Sequence, residues 1–287
     1  MVAWGRGFGI AGLAAMTAAL GACNTVGQSP RGPQVAVVEE DKATATVNIE
    51  SLSDVVQRNP NDASALNTRG AALARVGRYS DAIADFNKAL TIDPNNAPAF
   101  TNRGLAHRQT GRGDAAFADF SKAVEADPNY GPAYIGRANL LRAQNNYEAA
   151  LADLSQAIRL TPESAEALHA RGLVYQKMER HREAIIDFDA AIDRNAYVAA
   201  PYEARGQSLI ATRQYDKAVE DFNAALNVNN KDASAWAWRG LALERSGKRQ
   251  EALESYTRAT SIEPNNSVAK QGLGRLQGGI ASLSPFR

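Results

Sequence analysis

A period of 34 residues runs through most of this chain. Cutting the chain every 34 residues from Ala63 gives six consecutive units without a gap: 63–96, 97–130, 131–164, 165–198, 199–232 and 233–266. Positions 20 and 27 of the unit are Ala in all six, position 8 is Gly in five, and position 24 is Phe, Leu or Tyr. A unit of this size cannot bury an apolar face alone, so the units are expected to stack into a solenoid.

Each unit contains two stretches of about 14 residues with the apolar spacing of helices. Small residues at positions 8, 20 and 27 allow helices to approach closely, and the large residue at position 24 fills the space toward the neighbour. Gly77, Gly111 and Gly247 fit a turn between the two helices. Pro at position 32 of four units is predicted to end the second helix. Each unit is therefore predicted to be a helix-turn-helix.

This pattern resembles the tetratricopeptide repeat. The resemblance implies an all-α fold, a right-handed solenoid of helix-turn-helix repeats. The register extends past the six units: Leu52, Val55 and Pro60 fall at positions 24, 27 and 32 of a second helix, and Gly274 falls at position 8 of a first helix. The segments expected outside the repeats are an N-terminal capping helix over 43–62, a C-terminal capping helix over 267–278 and a loose tail over 279–287.

The first residues have the pattern of a secretory signal. Residues 1–7 contain one charge, Arg6, and residues 8–20 are apolar or small. That run is shorter than the roughly 20 apolar residues that a membrane span requires. Leu20-Gly21-Ala22-Cys23 resembles the lipobox of bacterial lipoproteins, in which the Cys thiol receives a diacylglycerol and the signal is cut before it. The alternative is an ordinary signal peptide with a Cys at this position by chance.

The lipobox resemblance implies that residues 1–22 are a lipoprotein signal peptide and that Cys23 is the lipidation site. Several acyl chains on one residue anchor stably, because each buried methylene contributes about 0.8 kcal/mol. Residues 23–42 are rich in Gly, Pro and polar side chains and are predicted to form a flexible tether. Asn24 stands where Asp would retain a lipoprotein in the inner membrane under the enterobacterial sorting rule. We therefore expect a lipid-anchored envelope protein in the outer membrane, facing the periplasm.

The composition argues against several classes of function. The chain has 32 Lys and Arg against 31 Asp and Glu, a net charge of +1, which gives no electrostatic reason to expect nucleic acid as a partner. One Cys excludes a disulfide within the chain, and three His leave little material for a histidine metal site. The sequence contains no HExxH, GxSxG or Gly-rich phosphate loop. We predict no enzyme activity, no cofactor and no metal.

Position 7 is Arg in every unit, and position 23 is Asp in all units but the sixth, which has Ser255. The repetition favours a structural ladder of ion pairs over a six-fold site for phosphate or carboxylate. We expect each Asp to pair with the Arg of the following unit, as Asp85 with Arg103, because Ser255 would then face Leu273, which needs no ionic partner. The predicted ladder consists of Arg69, Arg103, Arg137, Arg171, Arg205, Arg239, Asp85, Asp119, Asp153, Asp187 and Asp221.

In tetratricopeptide proteins, positions 2, 5, 9, 12 and 13 of the first helix line the concave surface. The resemblance therefore implies a partner-binding groove, which comprises Asn67, Arg75, Thr101, Leu105, Arg108, Asn139, Arg142, Glu166, His169, Gln176, Lys177, Glu203, Gln207, Glu244 and Arg245. Arginines lie toward the first units, and carboxylates lie in units four and five. A ligand with an acidic part toward the first units would be complementary to this groove.

Other candidate residues have simpler interpretations. His107 falls at a core position, His181 near the turn is expected to be solvated, and His169 is a possible ligand contact. Trp236 and Trp238 are interpreted as buried packing residues rather than binding residues. The clamp that grips two carboxylates of chaperone tails in this family is rejected, because it needs Lys at position 5, where this chain has none.

These features predict a non-catalytic, lipid-anchored adaptor or scaffold. Its partner would be a peptide or protein in the concave groove, in envelope assembly or in the recruitment of peptidoglycan enzymes, with the membrane reached through the acyl chains on Cys23. The alternative is a self-associating structural protein or a pilotin-like assembly factor, with residues 267–277 as the contact. A cell-wall hydrolase is a third possibility, without support from any residue.

Overall fold

The computed structural model describes residues 42–281, with side chains from residue 48 to residue 277. The predicted signal peptide, Cys23, and the predicted tether up to residue 41 lie outside the described residues, as does the tail from residue 282. Over the described range the chain is helical and contains no strand. The predicted all-α fold class is confirmed.

Fourteen helices follow one another in this range. They are α1 (Lys42–Arg58), α2 (Ala63–Arg75), α3 (Tyr79–Ile92), α4 (Ala97–Gln109), α5 (Gly113–Ala126), α6 (Gly131–Ala143), α7 (Tyr147–Leu160), α8 (Ala165–Lys177), α9 (His181–Arg194), α10 (Ala199–Ala211), α11 (Tyr215–Val228), α12 (Ala233–Arg245), α13 (Arg249–Ile262) and α14 (Ser267–Ala281).

The first helix of every unit begins at position 1 and the second spans positions 17–30. Asp62, Asn96, Ser164 and Asp232 cap first helices by accepting backbone N–H bonds. The second helix ends at the same place in the two units that lack Pro at position 32, so Pro is not what ends it. The backbone N–H of Asn195 after α9 and of Asn229 after α11 donates to the backbone oxygen of Ala191 and Ala225, as at the same position in the units with Pro.

The turn between the helices uses a left-handed residue at position 15 in all six units. Gly77, Gly111 and Gly247 have φ near +80°, as predicted from their position. The other three units place Asn145, Glu179 and Arg213 there with φ between 59° and 64°, which is costly for residues with a Cβ. The common turn geometry therefore comes from the packing of the repeat, and glycine only makes it easier.

The order of contacts places the first helices on the inner side of the array. Each first helix contacts the first helix of the next unit, from α2 with α4 through to α12 with α14. Within the described range, second helices contact first helices but not one another. An array joined more closely on one side curves toward that side, so the first helices form the concave surface.

In five of the six units the core contains an aromatic ring pressed against a glycine of the same unit. A Cβ placed on Gly172 would lie 2.5 Å from Cε1 of Phe188, which is fully buried. In the third unit the ring is replaced by Leu154, and the glycine is replaced by Ala138. The smaller side chain leaves room for the additional methyl group, so positions 8 and 24 vary together.

The two ends differ in detail from the sequence expectation. Helix α14 continues to Ala281, so residues 279–281 are helical rather than part of a loose tail. In α1, Val56 is buried while Val55, predicted to be the core residue, is 43% exposed. In the six units the residue at position 27 is a buried Ala, so α1 departs from the packing of the other second helices at this position.

Candidate binding surface

The arginine ladder pairs residues within a unit, and the predicted pairing between units is wrong. Arg171 donates from Nη2 to Oδ1 of Asp187 at 2.7 Å and from Nε to Oδ2 at 2.8 Å, a bidentate geometry. Positions 7 and 23 face each other beside the contact of positions 8 and 24, which brings them together inside one helix pair. The ion pairs are Arg69–Asp85, Arg103–Asp119, Arg137–Asp153, Arg171–Asp187 and Arg205–Asp221.

The sixth arginine also has partners, although its unit has Ser255 in place of Asp at position 23. Arg239 donates to Oγ of Ser255 at 2.6 Å and to Oδ1 of Asn223 at 2.7 Å. The second contact crosses to position 25 of the preceding unit, as does Nη1 of Arg205 to Asp189 at 2.6 Å. A ladder arginine therefore reaches the preceding unit through position 25, and this happens in a subset of the units. Each ladder guanidinium is bound within the protein, which supports the structural interpretation over an anion site.

Two of the predicted groove residues, both at position 5, are buried or already bound by another residue of the protein. Thr101 is only 4% exposed, and its hydroxyl has no partner among the described residues. The side-chain oxygen of Asn67 accepts a bond from Nδ2 of Asn102 in the next unit at 2.9 Å. Thr101 is therefore not available to a ligand, and Asn67 joins the first two units.

At position 12, two more predicted groove residues are engaged. Nε2 of Gln176 donates to the backbone oxygen of Ala204 at 3.0 Å and to Oγ of Ser208 at 3.1 Å. Glu244 accepts two bonds from Arg275 of α14, both at 2.8 Å. Glu244 therefore fixes the C-terminal capping helix, and burial together with this carboxylate raises the pKa of the adjacent Tyr256. These contacts were not predictable, because their partners lie about one repeat away.

Arg108 and Arg142, also at position 12, are different. Neither guanidinium forms a hydrogen bond or ion pair with the described residues, and Nε of Arg142 is buried without an acceptor. Burial and then the neighbouring Arg108 lower the pKa of Arg142 from its ordinary value. Two adjacent, partly desolvated cations without a carboxylate form a surface that attracts an anion.

His169 lies near Arg142. It is half-buried, with its ring centroid 5.8 Å from that of Phe188. Burial and then the Arg142 cation lower the pKa of His169, so its imidazole is neutral at pH 7. The remaining predicted groove residues line the first helices as half-buried or exposed side chains, namely Arg75, Leu105, Asn139, Glu166, Lys177, Glu203, Gln207 and Arg245.

A pocket of about 340 Å³ opens on the concave side at units four to six. It is lined by Gln176, Lys177, His181, Gln207, Ile210, Ala211 and Trp238. Trp238 therefore belongs to the wall of this groove pocket rather than to the closed core. His181, expected to be solvated, is half-buried, and its Nδ1 has no partner among the described residues. Ile210 occupies position 12, so the position rule could have identified it.

Glu203 is the negative counterpart in the second half of the groove. It is half-buried at position 5 of unit five and forms no ion pair with the described residues. Burial and then the charge of Asp232, which caps α12, raise the pKa of Glu203 to about 7. The carboxylate is thus only partly ionised near neutral pH, in a site that would favour a cationic group.

We expect Glu203→Gln to stabilise the protein in a pH-dependent way. Because the folded-state pKa of about 7 lies above the ordinary 4.5, the folded state binds more protons between these values, and this carboxyl group lowers stability as the pH rises through that window. The variant should gain about 1–2 kcal/mol at pH 8, less than the full shift because the group is partly exposed. Urea unfolding at pH 8 and pH 4.5 checks this. An equal effect at both pH values would contradict the raised pKa.

Among residues 42–281, no three His, Cys, Asp or Glu side chains are grouped so that they could hold a metal ion. None of the helices in that part of the chain is long and apolar enough to cross a membrane.

Comparison with family models gives matches over most of the repeat region. Models described as tetratricopeptide repeat match residues 63–96, residues 97–130 and 165–197, and residues 203–267. A model described as TPR repeat matches residues 138–179. Together these ranges cover more than half of the 287 residues. No curated protein matches the chain.

Several solved structures share the fold. The structure of the APC/C hetero-tetramer Cut9–Hcn1 superposes with a TM-score of 0.73 at 21% identity over 83% of this chain, which spans only 46% of that chain. PilF of Pseudomonas aeruginosa gives 0.68 at 19% identity, covering 76% of this chain and 99% of PilF. YrrB, described as a TPR protein with an unusual peptide-binding site, gives 0.54 at 24% identity over 65% of this chain and 96% of YrrB. At these identities the likeness concerns the fold.

Proposed function

Because the chain belongs to the tetratricopeptide repeat family, whose members mediate protein and peptide interactions, we propose that it is a non-catalytic adaptor that holds a peptide or protein segment along its concave surface. One observation carries the proposal. Polar groups that hold the repeats together are paired within the protein, as in the arginine ladder, whereas Arg108, Arg142 and Glu203 on the concave side have no ionic partner among the described residues. Keeping half-buried charges unpaired is unfavourable, and a ligand that pairs them would remove the cost.

The charge distribution specifies an orientation for the partner. The cations lie in units two and three, and Glu203 lies in unit five beside Asp232. A segment with its acidic part toward the N-terminal units is complementary, and the reverse orientation places like charges together. With a net charge of +1, this local separation rather than overall charge would select the partner.

The proposed setting is the bacterial cell envelope. Support comes from the sequence alone: the apolar run over residues 8–20 and the lipobox-like residues that end at Cys23. We propose attachment to the outer membrane through acyl chains on Cys23, with the repeats in the periplasm, and a role in envelope assembly or in recruiting peptidoglycan enzymes.

Anchoring is tested by Cys23→Ser. The wild-type protein should sediment with membranes after cell fractionation and stay there in high salt, because acyl chains rather than charges hold it. The variant should lose this attachment and incorporate no labelled fatty acid. Equal sedimentation of the two proteins, with no label in either, would contradict the lipid anchor while leaving the groove proposal intact.

The groove is tested by crosslinking and affinity capture from envelope extracts. Arg108→Glu/Arg142→Glu should lose partners that the wild-type protein retains, because the replaced charges repel the acidic segment. The matched control Lys88→Glu/Arg258→Glu makes the same change of charge at exposed positions on second helices and should keep them. Identical sets of captured proteins from all three would remove the groove from the proposal.

The alternative function, self-association through the C-terminal helix, meets a structural objection. Ala269 and Leu276 of α14 are buried against the repeats, and Arg275 is bound to Glu244, so the inward face of this helix is already covered. Light scattering of the full chain decides between the adaptor and the self-associating protein. A stable oligomer that dissociates on Lys270→Glu, an exposed position of α14, would favour self-association.

A further inference from the structure

Position 12 of the six units forms a continuous row along the concave surface. Successive first helices contact each other, so residues at one position lie side by side. We call this set the position-12 row, and in chain order it comprises Ala74, Arg108, Arg142, Gln176, Ile210 and Glu244.

The polar side chains of the position-12 row differ in whether they already form hydrogen bonds within the protein. Gln176 is bound to the next unit, and Glu244 is bound to Arg275 and Tyr256. Arg108 and Arg142 have no such partners among residues 48–277, although Arg142 has a buried Nε. In units four and six the residue at position 12 therefore joins neighbouring helices. In units two and three it is a cation without an ionic partner among the described residues.

Two residues of the position-12 row also line the groove pocket. Gln176 and Ile210 are members of the row and also line the pocket, whose remaining wall includes Ala211 and the indole of Trp238. With about 340 Å³, the pocket is large enough for one bulky side chain. Ile210 and Trp238 are half-buried apolar groups that a ligand side chain would remove further from water.

We propose that the position-12 row recognises a peptide by two chemically different groups: a side-chain carboxylate bound by Arg108 and Arg142, and a large apolar or aromatic side chain seated in the groove pocket against Ile210 and Trp238. This deepens the proposed function and rests on it. A carboxylate matches the planar fork of a guanidinium bidentately, as the aspartates of the ladder do with Arg171 and its equivalents.

The geometry fixes the spacing of the two groups. Contacting helices lie about 8–10 Å apart, so Arg142 and Ile210, two units apart, are separated by about 16–20 Å. An extended chain advances about 3.3 Å per residue, which places the acidic and apolar residues about five or six positions apart. The charge order of the groove puts the acidic residue toward the N-terminal units.

The test uses the full chain, purified in mild detergent, and a phage-displayed library of random dodecapeptides. Wild type should enrich peptides in which Asp or Glu and Phe, Trp, Leu or Ile stand five or six positions apart. Arg108→Gln/Arg142→Gln should lower enrichment of the acidic residue at least about tenfold and leave the apolar preference, because the charge-assisted hydrogen bonds to the carboxylate are lost. Ile210→Glu should abolish the apolar preference and leave the acidic one.

Both substitutions introduce residues that the repeat already accepts at position 12, as Gln176 and Glu244 show. The matched controls are Lys88→Gln/Arg258→Gln and Ile186→Glu, at exposed positions on second helices, and both should select the same peptides as wild type. Ile186 is 65% exposed, which makes it an apolar counterpart of Ile210 outside the groove.

The outcomes separate this proposal from the function it rests on. Enrichment of peptides without the paired acidic and apolar residues, or with a pattern that the variants leave unchanged, overturns the two-point recognition alone. No enrichment over background by wild type overturns the peptide groove as well. Binding to phosphatidylglycerol vesicles that only Arg108→Gln/Arg142→Gln abolishes, with peptide selection unchanged, would assign the arginines to a phosphate headgroup and overturn the proposal.

Discussion

Arg171→Ala is expected to destabilise the protein by about 3–5 kcal/mol, because it leaves a buried carboxylate without its partner. Asp187 is 3% exposed, and both of its side-chain oxygens accept bonds from Arg171. In the variant this carboxyl group would have to keep an uncompensated charge or take up a proton. Urea unfolding followed by circular dichroism measures the loss, and Arg258→Ala, at an exposed position of α13, should change stability by no more than about 0.5 kcal/mol.

A double-mutant cycle identifies the partner of Arg171. The pair Arg171 and Asp187 should show a coupling energy within the range of about 0.5–3 kcal/mol found for contacting groups. Asp153, which a pairing between units would join to Arg171, is instead bound to Arg137 at 2.8 Å and should show no coupling to Arg171. Coupling to Asp153 without coupling to Asp187 would reverse the ladder described above.

Phe188→Ala is the second change with a large expected effect, at about 3–5 kcal/mol, because it opens a cavity beside Gly172 in the middle of a unit. The ring is fully buried. Phe188→Leu should cost less, since a branched side chain refills part of the space, as Leu154 does in the third unit.

The residue pair of the third unit also predicts that Phe188→Leu reduces the destabilisation caused by Gly172→Ala. Gly172→Ala alone should destabilise by about 1–3 kcal/mol through overpacking against the ring, reduced by the better helix propensity of Ala. Combined with Phe188→Leu, it reproduces the Ala138 and Leu154 pair, so the double variant should be more stable than the sum of the single effects. Purely additive effects in thermal unfolding would mean that positions 8 and 24 do not share one space.

Much of the fold could be predicted from the sequence, because packing repeats with the period. Ala at positions 20 and 27 and the small residue at position 8 must recur wherever two helices approach closely, so their spacing gives the helix pairs directly. The pairing within the ladder could not be obtained in this way. Ser255 does not indicate which unit supplies the partner, because Arg239 donates to that hydroxyl and to Asn223, and a hydroxyl can replace a carboxylate as acceptor.

The sequence predicts which residues lie on the concave side, but it does not predict which of them are free to bind a ligand. The resemblance placed Gln176, Glu244 and Arg142 on the concave side alike, and only the structure shows that the first two are bound by residues 12 to 32 positions away. The groove pocket is formed by three units, so no single repeat contains its pattern. Trp238 lines it because unit six contributes position 6 to a wall otherwise built by units four and five.

The central claim is that partners bind the concave row and not the outer surface. The most direct test places the photo-crosslinking residue p-benzoylphenylalanine at Ile210 or, in a matched variant, at the outward-facing Ile186 of α9, and irradiates intact cells. We predict a covalent partner adduct at Ile210 that Arg108→Glu/Arg142→Glu abolishes, and no adduct at Ile186. Adducts at Ile186 alone, or equal adducts at both positions that the arginine substitutions leave unchanged, would contradict it.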